Sequence, residues 1–249
     1  MSFQKLALSA LSLAAIVCIG FAPAHADEQA LTKAQVEQVV HDYIMNNPKL
    51  IMDSVDDYQK KAMQARSSEG LKKNKESLTK DTSSPEAGNP KGDVTVVEFF
   101  DYNCHFCKGA FPAVQSLLEK DKNVRIVFKE FPILGPTSET AAKWALAADK
   151  QKKYFEFHTA MMNNKEPISD DLLAKVAKGV GMDVDKAKAD VASPEVVQQI
   201  AKNRALAGEL DINGTPAFVI GDDISRGAIP EEEMALKISQ VRSAAPAKK

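Results

Sequence analysis

Two cysteines separated by two residues, Cys104 and Cys107, constrain this chain more than any other feature. They lie where the apolar run Val94 to Phe100, read as a buried strand, gives way to a helix-compatible segment, Lys108 to Lys120. A helix start carries unsatisfied N–H groups and a partial positive charge. A thiolate at Cys104 is stabilised there, and the spacing predicts Cys104 exposed at the start of the helix as a nucleophile. Cys107, one turn on, is placed to attack a mixed disulfide at Cys104, so the pair can cycle between dithiol and disulfide.

The rest of the chain decides whether that pair is a staple or a reacting centre. Residues 1–26 read as a cleaved secretory signal peptide: Lys5, the apolar run Leu6 to Ile19, then the small-x-small site Ala24-His25-Ala26. Cleavage after Ala26 removes Cys18, leaving Cys104 and Cys107 as the only cysteines of an exported chain. Disulfides persist in oxidising compartments. A loop as small as that between Cys104 and Cys107 gains little from closure entropy, so the pair reads as catalytic. A zinc pair is the alternative, and structural zinc takes four ligands. His41, His105 and His158 supply no second pair at motif spacing, so no metal site and no cofactor are expected. Reduced thiols suit Cu(I), which keeps a copper-handling role open. Removing Lys5 leaves 31 basic against 34 acidic residues, and nothing in that balance points to nucleic acid.

Residues 27–66 read as two amphipathic helices. Leu31, Val36, Val39, Val40, Tyr43 and Ile44 mark the first, and Asn46-Asn47-Pro48 ends it. Ile51, Val55, Tyr58 and Ala62 mark the second with spacing close to a heptad seam. Neither stripe makes a core alone, so the segment packs either back on the main domain or on a second copy of itself; the second is expected, because the linker that follows would hold it away from the body. Residues 67–92, rich in lysine and then in turn formers, are expected to be a linker, with a charged helix persisting through Leu71 to Leu78. From residue 93 onward the pattern is strand, Cys-x-x-Cys helix, strand (Val124 to Phe128), a helical block, strand (Ala217 to Ile220), a turn at Gly221-Asp222-Asp223, strand (Ile224 to Ala228), and a terminal helix from Pro230 through Val241 with a frayed tail, Ser243 to Lys249. His158, with Tyr154, Phe157 and Met161 on one stripe, reads as a core or rim histidine; Trp144 reads as core, and Met161 and Met162 read as core with the border of a peptide groove as the alternative. Glu98 is either a buried acid beneath Cys107 that relays its proton or a surface strand acid. Lys129 either pairs with Glu98 or is solvated.

Three motifs resemble the DsbA family of thiol-disulfide oxidoreductases over residues 93–242. They are Val97-Glu98-Phe99-Phe100-Asp101-Tyr102-Asn103-Cys104-His105-Phe106-Cys107, Phe128-Lys129-Glu130-Phe131-Pro132-Ile133-Leu134-Gly135, and Gly214-Thr215-Pro216-Ala217-Phe218-Val219-Ile220. The resemblance implies an α/β, thioredoxin-like fold over 93–249 with an inserted helical subdomain at about 136–210. The N-terminal helices resemble those of the 27 kDa outer-membrane and copper-sensitivity-suppressor subgroup, which implies an α-helical oligomerisation segment at 27–66 forming a homodimer or homotrimer. It implies a periplasmic oxidase or isomerase acting on the thiols or disulfides of exported proteins, reset by a membrane partner, either a DsbB-like oxidant or a DsbD-like reductant. It implies Cys104 and Cys107 as the redox pair, His105 tuning it, Glu98 as the buried acid, and Pro216 as a cis-proline holding Thr215 beside Cys104. Phe106 and the Thr215 backbone would meet substrate. The family places proline and then histidine between its cysteines; this chain has His105 and then Phe106. A periplasmic chaperone, with the cysteines incidental, is the reading from another class.

Overall fold

The computed structural model describes residues 30–244. The signal-peptide reading of 1–26 and the end of the tail, 245–249, lie outside the described residues. The chain divides into two compact units, one up to Ser54 and one from Val55 onward.

In the first unit, helix α1 spans Lys33–Asn46 and α2 begins at Pro48. Thr32 caps α1: its hydroxyl accepts from Gln35 N while the Gln35 side chain accepts from Thr32 N at 2.9 Å. This reciprocal box satisfies N–H groups the helix cannot. Asn47 breaks the helical run and proline opens the next helix, where its missing N–H costs nothing. No residue of α1 is buried.

The second unit is built on a five-stranded sheet of order β1-β3-β2-β4-β5, with strands Glu86–Gly88, Val94–Phe100, Val124–Glu130, Ala217–Ile220 and Asp223–Arg226 numbered in chain order. Strands β2 and β3 are parallel and the other pairings antiparallel. Both central strands read as nearly continuous apolar runs because both of their faces are covered. On one face, Val96, Phe100, Ile126, Phe128 and Phe218 pack with α3 (His105–Lys120), α4 (Pro136–Lys150), α5 (Tyr154–Asn163) and α9 (Glu231–Ala244). On the other, Val97, Phe99, Val127 and Val219 meet Leu71 and Leu78 of α2 and Leu206 of α8 (Pro194–Glu209). Helices α6 (Asp170–Gly179) and α7 (Val184–Asp190) complete the helical block between β3 and β4. Trp144, Met161, Met162 and His158 are all core. Among the described residues, no helix is long and apolar enough to cross a membrane.

The linker expected over 67–92 is corrected. Helix α2 runs unbroken from Pro48 to Thr79, and Glu86–Gly88 is an edge strand paired with β3. Leu71, Asn74 and Leu78 lie three and four residues apart, so one face of a lysine-rich helix is buried while its lysines stay in water. Two cations of β3 hold the helix end. Arg125 donates to Thr79 O, and Lys129 Nζ donates to Ser77 O at 2.9 Å. Terminal carbonyls carry the negative end of the helix dipole, so cations suit them. Lys129 also donates to Asp81 Oδ2 at 2.9 Å and Ser84 Oγ at 2.8 Å. Both expectations for Lys129 therefore fail: it is fully buried, and it faces away from Glu98 because adjacent residues alternate across a sheet. The last strand also sits slightly earlier than expected, ending at Arg226 rather than Ala228.

Candidate active site

Strand β2 ends at Phe100, and the four residues before α3 build the floor of the cysteine loop. Asp101 organises it. Its carboxylate accepts from Asn103 N at 2.8 Å, Ile133 N at 2.8 Å and Leu134 N at 2.9 Å, and its carbonyl accepts from Cys104 N. Asn103 then donates to Thr137 and Ser138 at the start of α4. The loop is thereby tied to the β3–α4 turn that carries the exposed Ile133 and Leu134.

Cys104 is the N-cap of α3. Its Sγ accepts from Cys107 N at 3.3 Å and donates to Thr215 O at 3.2 Å. Charge that develops on this sulfur faces the positive end of a helix. The peptide bond between Thr215 and Pro216 is cis, and this loop covers the cysteine. The expectation of an exposed Cys104 is corrected accordingly: only 4% of its surface is accessible, because the thiol is folded under Thr215. Cys107 is sealed, and burial, together with the nearby Glu98, pushes its thiol well above the ordinary cysteine range. Both are free thiols, so this is the dithiol form. His105 and Phe106 point outward, their rings 6.0 Å apart and Phe106 67% exposed.

Glu98 lies in β2 opposite Phe128 and Phe218, on the sheet face that carries α3. It is buried, its Oε2 has no hydrogen-bond partner, and desolvation raises it to about 8. The surface-acid alternative is therefore excluded. Glu98 is close enough to Cys107 for its charge to push the thiol upward.

Sequence reasoning missed the groups around this acid. Glu130 Oε1 accepts from Tyr154 OH at 2.8 Å and Tyr102 OH at 3.3 Å, and Tyr102 OH lies 3.1 Å from His158 Nδ1. Phe100, Phe111, Phe128 and Phe155 surround the His158 ring, and burial lowers this histidine to about 3, so it is neutral. The signal for Asp101, Tyr102 and Glu130 was present as polar residues inside otherwise apolar motifs, but their partners are 24 to 56 residues away.

Residues 95–239 match the family described as the DSBA-like thioredoxin domain, and residues 33–65 match the copper resistance protein ScsC N-terminal domain. A solved thioredoxin-like oxidoreductase from Silicibacter pomeroyi DSS-3 is 44% identical, with a TM-score of 0.67, and the match covers 69% of this chain and 99% of that one. A linker-deletion variant of ScsC from Proteus mirabilis is 25% identical, with a TM-score of 0.69 over 88% of this chain and 100% of its own. Among curated proteins, a Na(+)/H(+) antiporter NhaA of Salinispora tropica is 30% identical over 135 residues, which is 53% of this chain; the match spans only 21% of the antiporter.

Proposed function

The chain belongs to the DSBA-like thioredoxin domain family, and from that premise we propose that it forms or rearranges disulfide bonds in exported proteins of the periplasm through Cys104 and Cys107. In the oxidising direction, a substrate thiolate attacks Cys104 Sγ of the enzyme disulfide. The bond between the two enzyme sulfurs breaks, its electron pair leaves on Cys107, and Cys107 takes a proton from the Glu98 carboxyl. A second substrate thiolate attacks the substrate sulfur of the mixed disulfide and releases Cys104 as thiolate. The substrate departs as a disulfide and the enzyme as a dithiol, which a membrane oxidant returns to the disulfide. The observation that carries this reading is the seat of Cys104 Sγ, 3.3 Å from Cys107 N and 3.2 Å from Thr215 O. Sulfur exchange needs a nucleophile at a helix start and a resolving thiol one turn on, and this seat supplies both. The backbone beside Pro216 offers strand-like pairing to an extended substrate, and Phe106 gives it an apolar contact.

A second reading is isomerisation, in which the pair is kept reduced by a membrane donor and Cys104 thiolate attacks a substrate disulfide. The exposed apolar stripe of the N-terminal helices favours it: Val39, Tyr43 and Tyr58 are 61%, 58% and 74% exposed. A second copy of residues 27–66 covers such a stripe, and joined catalytic domains hold one misfolded substrate between them. Reactivation of a scrambled-disulfide protein and oxidation of a reduced peptide separate the readings. Both are run with the mature chain, a version lacking 27–66, and Cys104→Ser. Isomerisation predicts reactivation by the mature chain alone; a plain oxidase predicts peptide oxidation by both Cys104-containing forms and reactivation by neither. Reactivation that survives Cys104→Ser contradicts both readings and leaves a chaperone.

A further inference from the structure

Two buried carboxyls share the α3 side of the sheet, and the protein provisions them in opposite ways. Glu98 lies opposite Phe128, and Glu130 lies opposite Phe100, two positions further along the same parallel ladder. Glu130 receives two phenol hydroxyls on one oxygen, at 2.8 and 3.3 Å, whereas Glu98 Oε2 receives none. The titratable groups around the pair are Cys107 from α3, Asp101, Tyr102 and the N-cap Cys104 from the loop before it, and Tyr154 and His158 from α5. Lys129, the neighbour of Glu130, is on the opposite face and already bound to Asp81.

A carboxylate in a dry site is stabilised by the hydrogen bonds it accepts. His158 is neutral, so its Nδ1–H can donate to the Tyr102 oxygen and free the Tyr102 O–H for Glu130. The imidazole Nε2 is then a bare acceptor, and it is the buried histidine atom that has no partner. We propose that Glu130 is a positioning residue for the redox step: it takes the carboxylate charge of this pocket before Glu98 does, and that charge keeps on Glu98 the proton destined for Cys107. This rests on the Glu98 relay proposed above. The Tyr154 and Tyr102 hydroxyls favour the Glu130 carboxylate against burial and the neighbouring Asp101 and Glu98 charges, which push it well above its ordinary range; Glu98 Oε2 receives no such donor and is raised by desolvation.

Resolution of a mixed disulfide reads this out. With glutathione attached to Cys104, the Cys107 thiol passes its proton to Glu98 carboxylate, its sulfur attacks Cys104 Sγ, and glutathione leaves as thiolate. The single-turnover rate therefore rises with pH as Glu98 ionises. Glu130→Gln keeps an acceptor for both phenols but removes the charge. It moves the inflection down by about one pH unit, which is about tenfold more Glu98 carboxylate at a fixed lower pH. Tyr154→Phe weakens Glu130 as an anion and moves the inflection the same way by less. Glu98→Gln abolishes it. An inflection unmoved by Glu130→Gln, yet lost in Glu98→Gln, overturns the role of Glu130 and leaves the relay standing; a profile indifferent to Glu98→Gln overturns the relay itself. Should Glu130→Gln not fold, the infrared carboxyl bands of the intact reduced protein decide, with Tyr154→Phe marking the Glu130 band. Loss of the Glu130 band first on raising pH supports the proposal, and loss of the Glu98 band first overturns it.

Discussion

The two faces of the central sheet treat buried charge differently. On the α2 and α8 side, Lys129 spends all three N–H bonds, on Ser77 O, Asp81 and Ser84, and Gln199 Nε2 closes the ring by donating to Ser84 Oγ at 2.9 Å. On the α3 side, Glu98 is just as deeply buried with one oxygen unpartnered. A saturated buried charge has a single comfortable state and serves to fasten; an unsaturated one sits between two protonation states and is available for chemistry. The first face anchors the end of α2, and the second holds the acid proposed to supply protons to the cysteine pair.

The largest effect that sharpens this contrast is expected from Cys104→Ser. It reduces disulfide exchange with glutathione to background while leaving the urea midpoint close to that of the reduced parent, because one small polar atom replaces another at the N-cap. Lys129→Ala is expected to do the reverse. Removing the buried ammonium leaves Asp81 to its neutral donors and the more distant Lys202, and about 3–5 kcal/mol of stability is lost in urea titrations. The pH profile of mixed-disulfide resolution stays in place, since Lys129 and Glu98 face opposite sides. Movement of that profile would break the contrast.

Glu98→Gln is expected to stabilise the reduced protein in one pH window only. The folded value of about 8 lies above the ordinary value of 4.5, so the acid is protonated in both states at low pH and its burial then carries no ionisation penalty. As pH rises from 4.5 the unfolded chain ionises and the folded one does not, and stability falls until the folded acid ionises near 8. The variant escapes that loss: its advantage is absent at pH 4 and grows to about 2–4 kcal/mol by pH 9, measured by denaturation at each pH. The smallest effect belongs to an exposed pair. Lys120 and Glu231 are 2.8 Å apart, but Lys120 is 69% exposed, and Lys120→Ala should leave the urea midpoint close to that of the parent. A loss as large as that of Lys129→Ala would show that burial does not separate the two cases.

Much of the candidate site was legible because its signal is local. The strand, the cysteine spacing, the helix that follows and the Thr215-Pro216 dipeptide each span a few residues, and the N-terminal break at Asn47-Pro48 has its own turn chemistry. What was not legible depends on distant partners. Lys129 looks like an ordinary strand lysine until Asp81 and Ser84 fold beneath it. The lysine-rich end of α2 reads as solvated because its buried residues are only Gly70, Leu71, Asn74 and Leu78, too few to stand out among the charges. Glu130 is one residue from Lys129, and only the sheet's alternation sends the two to opposite faces. Cys104 was expected in the open because a helix start is usually accessible; the loop that covers it comes from 111 residues away.

The most direct test of the account is to treat reduced Cys107→Ser protein with oxidised glutathione and locate the adduct by mass spectrometry. A stable glutathione mixed disulfide on Cys104, which the parent protein resolves and releases, is the predicted result. An intact, folded Cys107→Ser protein that forms no adduct at Cys104 would contradict the claim that this sulfur is the nucleophile.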